Sequence, residues 1–166
     1  MTRLVLYVAA PLRPTEEEVA AVVAAPIGCE DATALRYNLN RAKRWLSWLR
    51  RSFPETTFIA PWIASVESGD DDRDPAQREA GLRDACAVIE RCDGIVLCGP
   101  RVSEGMRREM EHGMSWRMFD GDDGEPMRFE AYDLTSLGAE PPSPALTVPR
   151  GCSFREWHRD LVARRR

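Results

Sequence analysis

The stretch GIVLCGPRVSEGMRREMEHG, residues 94–113, joins a short apolar run to the beginning of a polar helix. The run GIVLCGP has the length and the β-branched content of a strand that is buried on both faces. Ser103 stands where a helix N-cap is expected, and Gly105 allows the backbone to approach a ligand closely. The stretch therefore predicts a strand-to-helix turn, followed by a helix from Ser103 to about Trp116.

This turn has two interpretations. In one, the free amides at the helix start, the Ser103 hydroxyl and the helix dipole together bind an oxyanion. In the other, Ser103 is a simple helix cap, which is the more common role of serine at this position. Glu109 follows six residues later, on the face that carries Met106, Met110 and Gly113, where an apolar residue is more usual than a glutamate.

Runs of strand and helix character alternate along the rest of the chain. The other predicted strands are residues 3–9, residues 56–63 with Pro61 closing the strand, and residues 127–134. The other predicted helices are a short one before Gly28, one over residues 38–53, one from Asp74 to about Cys92, and a last one around residues 153–165. The acidic residues 64–74 are expected to form an exposed loop, and residues 119–126 a turn.

This order predicts an α/β fold: a single-domain, Rossmann-like, three-layer structure with a mainly parallel sheet flanked by helices. In such sheets, ligands bind beyond the carboxyl ends of the strands. The segments that follow the first three strands are AAPLRP, APWIAS and GPRVSEG. They are therefore expected to converge on one site.

Two helix starts carry recognisable capping signals. Thr15 and Glu18 have the spacing of a capping box, in which each side chain bonds to the backbone of the other residue. Asp74, Pro75 and Gln77 supply an N-cap, a proline at the first helical position and a reciprocal glutamine. A helix is expected to start at each place.

The composition limits the class of protein. With 166 residues, 43% hydrophobic and 30% charged, the chain fits one domain over residues 1–166, in which residues 141–166 form a proline-rich segment and a helix. The N-terminal apolar run is too short for a membrane span and does not resemble a signal peptide, so we expect a cytoplasmic protein without a membrane partner. The net charge of −4 argues against a nucleic-acid polymer as partner. Five cysteines without a Cys-x-x-Cys pair are expected to be free thiols, mostly buried.

Three segments stand in this order along the chain: YVAAPLR, NLNRAKRWLSWL and CDGIVLCGPRVSEGMRREMEHG. Together they resemble the nucleoside 2-deoxyribosyltransferase-like superfamily, which includes the 2'-deoxynucleoside 5'-phosphate N-hydrolases. YVAAPLR (residues 7–13) resembles its first strand and loop, and NLNRAKRWLSWL (residues 38–49) its first helix. CDGIVLCGPRVSEGMRREMEHG (residues 92–113) is similar to its aspartate-led apolar strand followed by the motif Ser-x-Gly-x-x-x-Glu. The resemblance covers about residues 3–116, and the last motif is the most specific.

The resemblance implies a role for each matching residue. The glutamate of the motif, here Glu109, would attack the anomeric carbon of the sugar, and Tyr7 would orient its carboxylate. Ser103, Gly105 and Arg13 would hold a 5'-phosphate.

A second carboxylate of the family helps to position the sugar or to transfer a proton, and Asp84 is its nearest match. The resemblance implies no cofactor and no metal.

The chain also departs from the family pattern. Ala9 and Ala10 stand where the family usually has glycine, and more than twenty residues separate Arg13 from the next conserved helix. The spacing from Asp84 to Asp93 is about one residue long, and Asp93 is expected to have a structural role at the start of its strand.

Metal sites explain the acidic residues less well. Glu109 and His112 form one Glu-x-x-His pair, but di-iron and di-manganese bundles need two such pairs. The segment DGDDGE, residues 120–125, lacks the spacing and the final glutamate of a calcium loop.

Two functions remain open at this point. The first is an N-glycosidase or deoxyribosyltransferase that acts on a small nucleoside or nucleoside 5'-monophosphate through Glu109. The second is a non-catalytic nucleotide-binding or sensing module that keeps the anion-binding turn.

A homodimer or higher homo-oligomer is also expected. One core face cannot absorb Trp48, Met114, Trp116 and Met118 together, so some of these side chains are expected to meet a second copy. The resemblance points the same way, because members of the family commonly complete the site with residues of a neighbouring subunit.

Overall fold

The computed structural model describes residues 3–22, 28, 30–71, 73–116, 129–142, 148–149 and 151–164, and the backbone of residues 117–119. The strands are β1 (Val5–Ala9), β2 (Thr57–Ile59), β3 (Gly94–Leu97) and β4 (Glu130–Asp133). The α-helices are α1 (Glu16–Ala20), α2 (Glu30–Ser52), α3 (Trp62–Glu67), α4 (Pro75–Ile89), α5 (Glu104–Phe119) and α6 (Phe154–Ala163). A short 3-10 helix, Thr135–Leu137, follows β4.

All four described strands pair in parallel, in the order β2-β1-β3-β4. Successive strand residues point to opposite faces of the sheet, and each face is covered by helices. On one face Leu6 and Val8 belong to a core with α2 and α6. On the other face Tyr7 and Ala9 pack with residues of α4 and α5. The predicted α/β, Rossmann-like, three-layer fold is confirmed.

The alternation within β1 positions the candidate site. Because Leu6 and Val8 face α2, Tyr7 between them must face the layer of α4 and α5. The neighbouring strand β3 places Ile95 in the same layer. The helix that carries Glu109 therefore lies against the face of the sheet to which Tyr7 points.

The segment after β2 differs from the prediction. The strand ends at Ile59, and Trp62–Glu67 form helix α3 instead of the end of a strand and the start of a loop. Pro61 occupies the N-cap position, and Ile63 is buried against Leu39 and Ala42 of α2. This tertiary packing outweighs the strand preference of the β-branched and aromatic residues.

Helix bounds differ from the prediction at two other places. Helix α2 begins at Glu30, eight residues before the predicted start at residue 38. Helix α1 has the predicted capping box of Thr15 and Glu18 but ends at Ala20. Residues 23–27, Cys29 and residues 120–126 of the turn predicted at 119–126 lie outside the described part of the chain, and Phe119 is the last residue of α5.

The start of α4 is confirmed with one change in its hydrogen bonds. The Asp74 carboxylate accepts from the Ala76 N–H at 2.9 Å, and Pro75 is the first helical residue. The Gln77 side-chain oxygen accepts from the Asp71 N–H at 2.8 Å rather than from the N–H of Asp74, and its amide donates to the Asp74 carboxylate. Gln77 thus ties the preceding loop to the cap.

Other side-chain predictions are also settled by the structure. The Asp93 carboxylate accepts from the Val5 N–H at 2.7 Å and so joins the start of β3 to β1, the structural role that was expected. The four described cysteines are free: Cys92 and Cys98 are buried, and Cys86 and Cys152 are half-buried. Within the described ranges, no helix has the length and apolar content that crossing a membrane requires.

The side chains behind the oligomer expectation have different environments. Trp48 is buried between Phe53 and Trp157 of α6, with ring centroids 6.0 and 5.6 Å away, and so needs no second copy. Met114 and Trp116 on α5 are 48% and 39% exposed. Of the side chains behind the oligomer expectation, those of Met114 and Trp116 are therefore exposed, and that of Met118 lies outside the described part of the chain.

Helix α6 carries His158, a ring nitrogen of which is buried. The His158 ring contacts the Tyr132 ring at 5.1 Å between centroids, and its Nε2 is buried without a hydrogen-bond partner among the described residues. Burial lowers the pKa of His158 below its usual value, more than a hydrogen bond with the Asp133 backbone raises it. Folding thus holds the ring neutral.

We expect His158→Phe to remove a source of acid destabilisation. The unfolded chain binds a proton at His158 as the pH falls through about 6.5, whereas the folded chain binds it only at lower pH. The free energy of unfolding of the variant should therefore rise relative to that of the parent between pH 8 and pH 5. Urea unfolding at both pH values measures this difference, and a difference that does not vary with pH would contradict the assignment.

Candidate active site

A pocket of about 190 Å³ lies beyond the carboxyl ends of β1, β2 and β3. Residues from all three following segments line it: Leu12 and Arg13 after β1, Pro61 and Trp62 after β2, and Ser103 and Gly105 after β3. Helix α4 supplies a further wall. The predicted convergence of the three segments is confirmed.

Glu109 is the buried ionisable residue of this pocket. It is 9% exposed, and the Tyr7 hydroxyl donates a hydrogen bond to its Oε1 at 3.0 Å. Met106, one turn earlier on α5, is buried on the same side of the helix. Glu109 thus occupies a helix position where an apolar core residue is usual. Its carboxylate therefore lies against the sheet and also lines the pocket.

Burial sets the protonation of this pair. It raises the pKa of Glu109 to about 7, although the hydrogen bond from Tyr7 acts in the opposite direction. Burial, and then the nearby charge of Glu109, raise the pKa of Tyr7 well above its usual value. Tyr7 therefore remains a hydrogen-bond donor at neutral pH, and Glu109 changes its protonation near neutral pH.

Ser103 is the cap of helix α5, as predicted. Its Oγ accepts from the Met106 N–H at 3.3 Å, and its carbonyl oxygen accepts from the Arg107 N–H at 3.0 Å. Ser103, Gly105 and Met106, at the start of the helix, line the pocket. A helix start in general leaves backbone N–H groups that an anion can bind.

The fold does not require glycine at position 105. A Cβ there would meet the side chains of Leu82, Ser103 and Arg78 at 3.8–4.0 Å, which are ordinary contact distances. Its backbone also lacks the positive φ that favours glycine. The missing side chain instead enlarges the pocket beside the helix start.

Arg78 is a pocket residue that the sequence analysis missed. Its Nη2 lies 4.0 Å from the position that a Gly105 Cβ would take, so its guanidinium stands beside the start of α5. The signal was present, because Arg78, Leu82 and Ala85 share one face of helix α4 by their spacing. Without the packing of α4 on α5, nothing indicated which face met the pocket.

Trp62 is the second missed residue. The prediction placed it near the end of a strand, whereas it begins α3 and lines the pocket half-buried. Its Nε1 donates to the carbonyl oxygen of Val8 at 2.9 Å, which fixes the indole ring beside the end of β1.

The remaining predicted site residues also line the pocket. Arg13 lines it with an exposed side chain, and Asp84 lines it from α4, also exposed. All of the predicted residues are thus brought together, five of them directly at the pocket and Tyr7 through Glu109. Glu109 is buried, whereas Asp84 is exposed to solvent.

His112, which follows Glu109 by three residues, contacts Glu90. Its Nε2 lies 3.0 Å from the Glu90 carboxylate, and its ring stacks on Trp116. Over the described ranges, no three His, Cys, Asp or Glu side chains are grouped closely enough to hold a metal ion.

A larger pocket of about 1110 Å³ adjoins the first one, between α1, α2 and the segment before α4. The two share Arg13, Val66, Asp70 and Asp71. None of the ionisable residues that line the larger pocket is buried. The smaller pocket, with Glu109, is therefore the candidate for chemistry despite its size.

Comparison with known proteins gives one match. The family model described as Domain of unknown function (DUF7768) matches residues 29–119, more than half of the chain. The matched range runs to the end of α5 and contains Glu109, Asp84 and the Ser103 turn, whereas Tyr7 and Arg13 precede it. No curated protein and no solved structure matches the chain.

Proposed function

The chain belongs to the DUF7768 family, and we propose that it cleaves the N-glycosidic bond of a nucleoside or nucleoside 5'-monophosphate with Glu109 as nucleophile. The observation that carries the proposal is the buried carboxylate of Glu109, held by Tyr7 at a pocket beyond the strand ends. The three sequence segments that resemble the nucleoside 2-deoxyribosyltransferase-like superfamily support the same chemistry.

The reaction has two steps. The Glu109 carboxylate attacks the anomeric carbon, the carbon–nitrogen bond breaks, and the base leaves with the bonding electron pair and takes up a proton. The glycosyl ester formed on Glu109 is then opened by water, which loses a proton and releases the sugar, or by a second base, which yields a new nucleoside. Either acceptor restores the free carboxylate.

Each neighbouring residue has a role in this proposal. Tyr7 orients the carboxylate and stabilises its charge through the hydrogen bond to Oε1. Asp84 is the candidate that transfers a proton to or from the substrate. Trp62 offers a fixed aromatic surface beside which a flat base can lie.

The phosphate group of a 5'-monophosphate fits at the start of α5. The free amides after Ser103 and the helix dipole favour an anion there, and Gly105 leaves room for it. Arg13 and Arg78 supply positive charge at the same pocket.

Incubation with a panel of nucleosides and 5'-monophosphates tests the proposal. Release of free base is the expected result, and addition of a second base separates transfer from hydrolysis. Substrates that bind without any release of base would contradict the proposal and favour the non-catalytic nucleotide-binding module. The exposed Asp84 is the observation that keeps this second function open.

Tyr7→Phe is expected to move the pH dependence of the reaction. Since Glu109 must be ionised to attack, kcat/KM should rise as the pH increases through about 7. Loss of the hydroxyl removes a hydrogen bond that lowers the Glu109 pKa, so the rising limb moves to higher pH. The loss in kcat/KM should be about 10-fold or more at pH 6 and much smaller at pH 9, because hydrogen bonds to charged groups contribute about 1.5–3 kcal/mol.

Tyr132→Phe is the matched control. Tyr132 is also buried, but it belongs to the core on the other face of the sheet, and its hydroxyl bonds to Glu130. This variant should keep the pH profile of the parent. If the Tyr7→Phe profile ran parallel to that of the parent at every pH, Tyr7 would not act through the protonation of Glu109.

A further inference from the structure

Arg101 connects two of the segments that form the pocket. It lies between β3 and α5, two residues before Ser103, and its Nη2 donates to the carbonyl oxygen of Arg13 at 2.7 Å. Its Nη1 also lies 3.3 Å from Oε1 of Glu18, on helix α1. One guanidinium group thus holds the segment after β1 at two points.

Helix α2 also holds this segment. Arg41, which is 5% exposed, bonds to Oε1 of Glu18 at 3.2 Å, and Asn38, which is 1% exposed, donates to the Leu12 carbonyl oxygen at 3.1 Å. Glu18 also accepts from the Thr15 N–H at 2.8 Å within the capping box. Residues 12–18 are therefore fixed between buried groups of α2 and the side chain of Arg101.

Electrostatics agrees with this arrangement. Partial burial raises the pKa of Glu18. The hydrogen bonds from Thr15, Arg41 and Asn38 and the charge of Arg101 together lower the pKa by more than burial raises it, so it lies below its usual value. Glu18 is therefore ionised at neutral pH and can bond to both arginines at once.

A second contact brings the same two segments together. Gly99 has a φ of +99°, and a Cβ there would stand 2.9 Å from Cδ of Pro11. The segment after β3 therefore packs directly on the segment after β1, and a side chain at position 99 would force them apart.

We propose that Arg101 is a positioning residue that sets residues 11–18 against the start of helix α5. By holding the Arg13 carbonyl, it places the Arg13 side chain and the first amides of α5 on the same anionic group. The anion is the 5'-phosphate of the substrate, so this inference rests on the proposed function. Arg101 itself does not line the pocket and acts through Arg13.

Hydrogen exchange of the intact chain tests the positioning directly and does not depend on turnover. In Arg101→Gln, exchange at the amides of residues 15–19 should become about 10-fold faster, because the segment loses hydrogen bonds from a charged group that hold it in place. Amides of β1 and β3 should keep the rates of the parent. Arg101→Lys, which cannot bond both acceptors with a fixed fork, should lie between the two.

Arg107→Gln is the matched control, because Arg107 is exposed on α5 and pairs only weakly with Glu111 at 3.5 Å. It should leave the exchange of residues 15–19 unchanged. Unchanged exchange in Arg101→Gln would overturn the positioning role whether or not the protein is an enzyme.

Phosphate binding tests whether the positioning by Arg101 serves to hold a phosphate group. Inorganic phosphate should slow exchange in the first turn of α5 in the parent and in Arg107→Gln, and should do so much less in Arg101→Gln. For the enzyme reaction, Arg101→Gln should raise KM for 5'-monophosphates about 10-fold and leave kcat and the KM for nucleosides nearly unchanged. Equal protection by phosphate in Arg101→Gln and the parent would overturn the link to the phosphate. Absence of base release in the parent would count against the proposed function alone.

Discussion

Glu109→Gln is expected to reduce base release by a factor on the order of 10³ or more and to leave nucleotide binding nearly intact. Glutamine has almost the shape of glutamate and can still accept the hydrogen bond from Tyr7. It carries no negative charge and cannot form the glycosyl ester, so the first chemical step is lost. The measurement is a single-turnover assay of base release together with calorimetric titration of the substrate.

The same variant is expected to be more stable than the parent at high pH. Burial raises the pKa of Glu109 from 4.5 to about 7, so that ionising it in the folded chain costs up to about 3 kcal/mol relative to the unfolded chain. This cost is absent below about pH 4.5, grows as the pH rises towards 7 and then stays constant. The free energy of unfolding of Glu109→Gln should therefore rise relative to that of the parent between pH 5 and pH 8.

This pair of readouts separates a lost nucleophile from a damaged fold. Glu111→Gln, two residues later on the exposed side of α5, should change neither base release nor the pH dependence of stability. A Glu109→Gln variant that is inactive but more stable than the parent supports the assignment of Glu109 as the nucleophile. Turnover at the parent rate would show that another group attacks the sugar.

Local patterns were sufficient for much of the fold. The alternation of apolar strands with capped helices predicted the parallel sheet, and the caps at Thr15, Asp74 and Ser103 were placed correctly. These signals depend on hydrogen bonds within a few residues of the chain, so they can be read without knowledge of the packing. The order of the strands, by contrast, came only from the structure.

The features that were missed depend on contacts between distant segments. Helix α3 begins with Trp62 and Ile63, which favour a strand locally and become helical because they pack against α2 and β1. Arg78 joins the pocket because α4 packs on α5, and Arg101 has its role because two loops meet. Neither arginine lies in a motif, so the sequence alone does not distinguish it from the other arginines.

The motif at the start of α5 made part of the candidate site predictable from the sequence. Glu109 on an otherwise apolar helix face was unusual enough to be selected, and the structure places it beside Tyr7, which lies 102 residues earlier. The choice between an anion site and a simple cap at Ser103 could not be made from the spacing. Ser103 does cap the helix, and the phosphate proposed at the same turn is tested by binding.

Gly105→Leu is expected to lower kcat/KM for nucleoside 5'-monophosphates about 100-fold, with a much smaller effect on free nucleosides. A Cβ at this position meets only ordinary contacts, so the backbone has no reason to move, and leucine is a better helix former than glycine. The rest of the side chain must extend past Arg78 and Leu82 into the space at the helix start. It would displace a phosphate from the amides of α5, and the loss of one or two hydrogen bonds to a charged group, at about 1.5–3 kcal/mol each, accounts for the factor.

Ser115→Leu is the control for a larger apolar side chain on the same helix, because Ser115 is exposed and far along α5 from the pocket. It should change neither substrate class. The comparison is a ratio of kcat/KM for a 5'-monophosphate and its own nucleoside, in which general damage to the fold or to Glu109 cancels. A ratio that falls about 100-fold in Gly105→Leu places the phosphate at the start of α5, because only a group present in one of the two substrates can change it. Equal losses for both substrates would mean that the turn after β3 caps a helix and does nothing more.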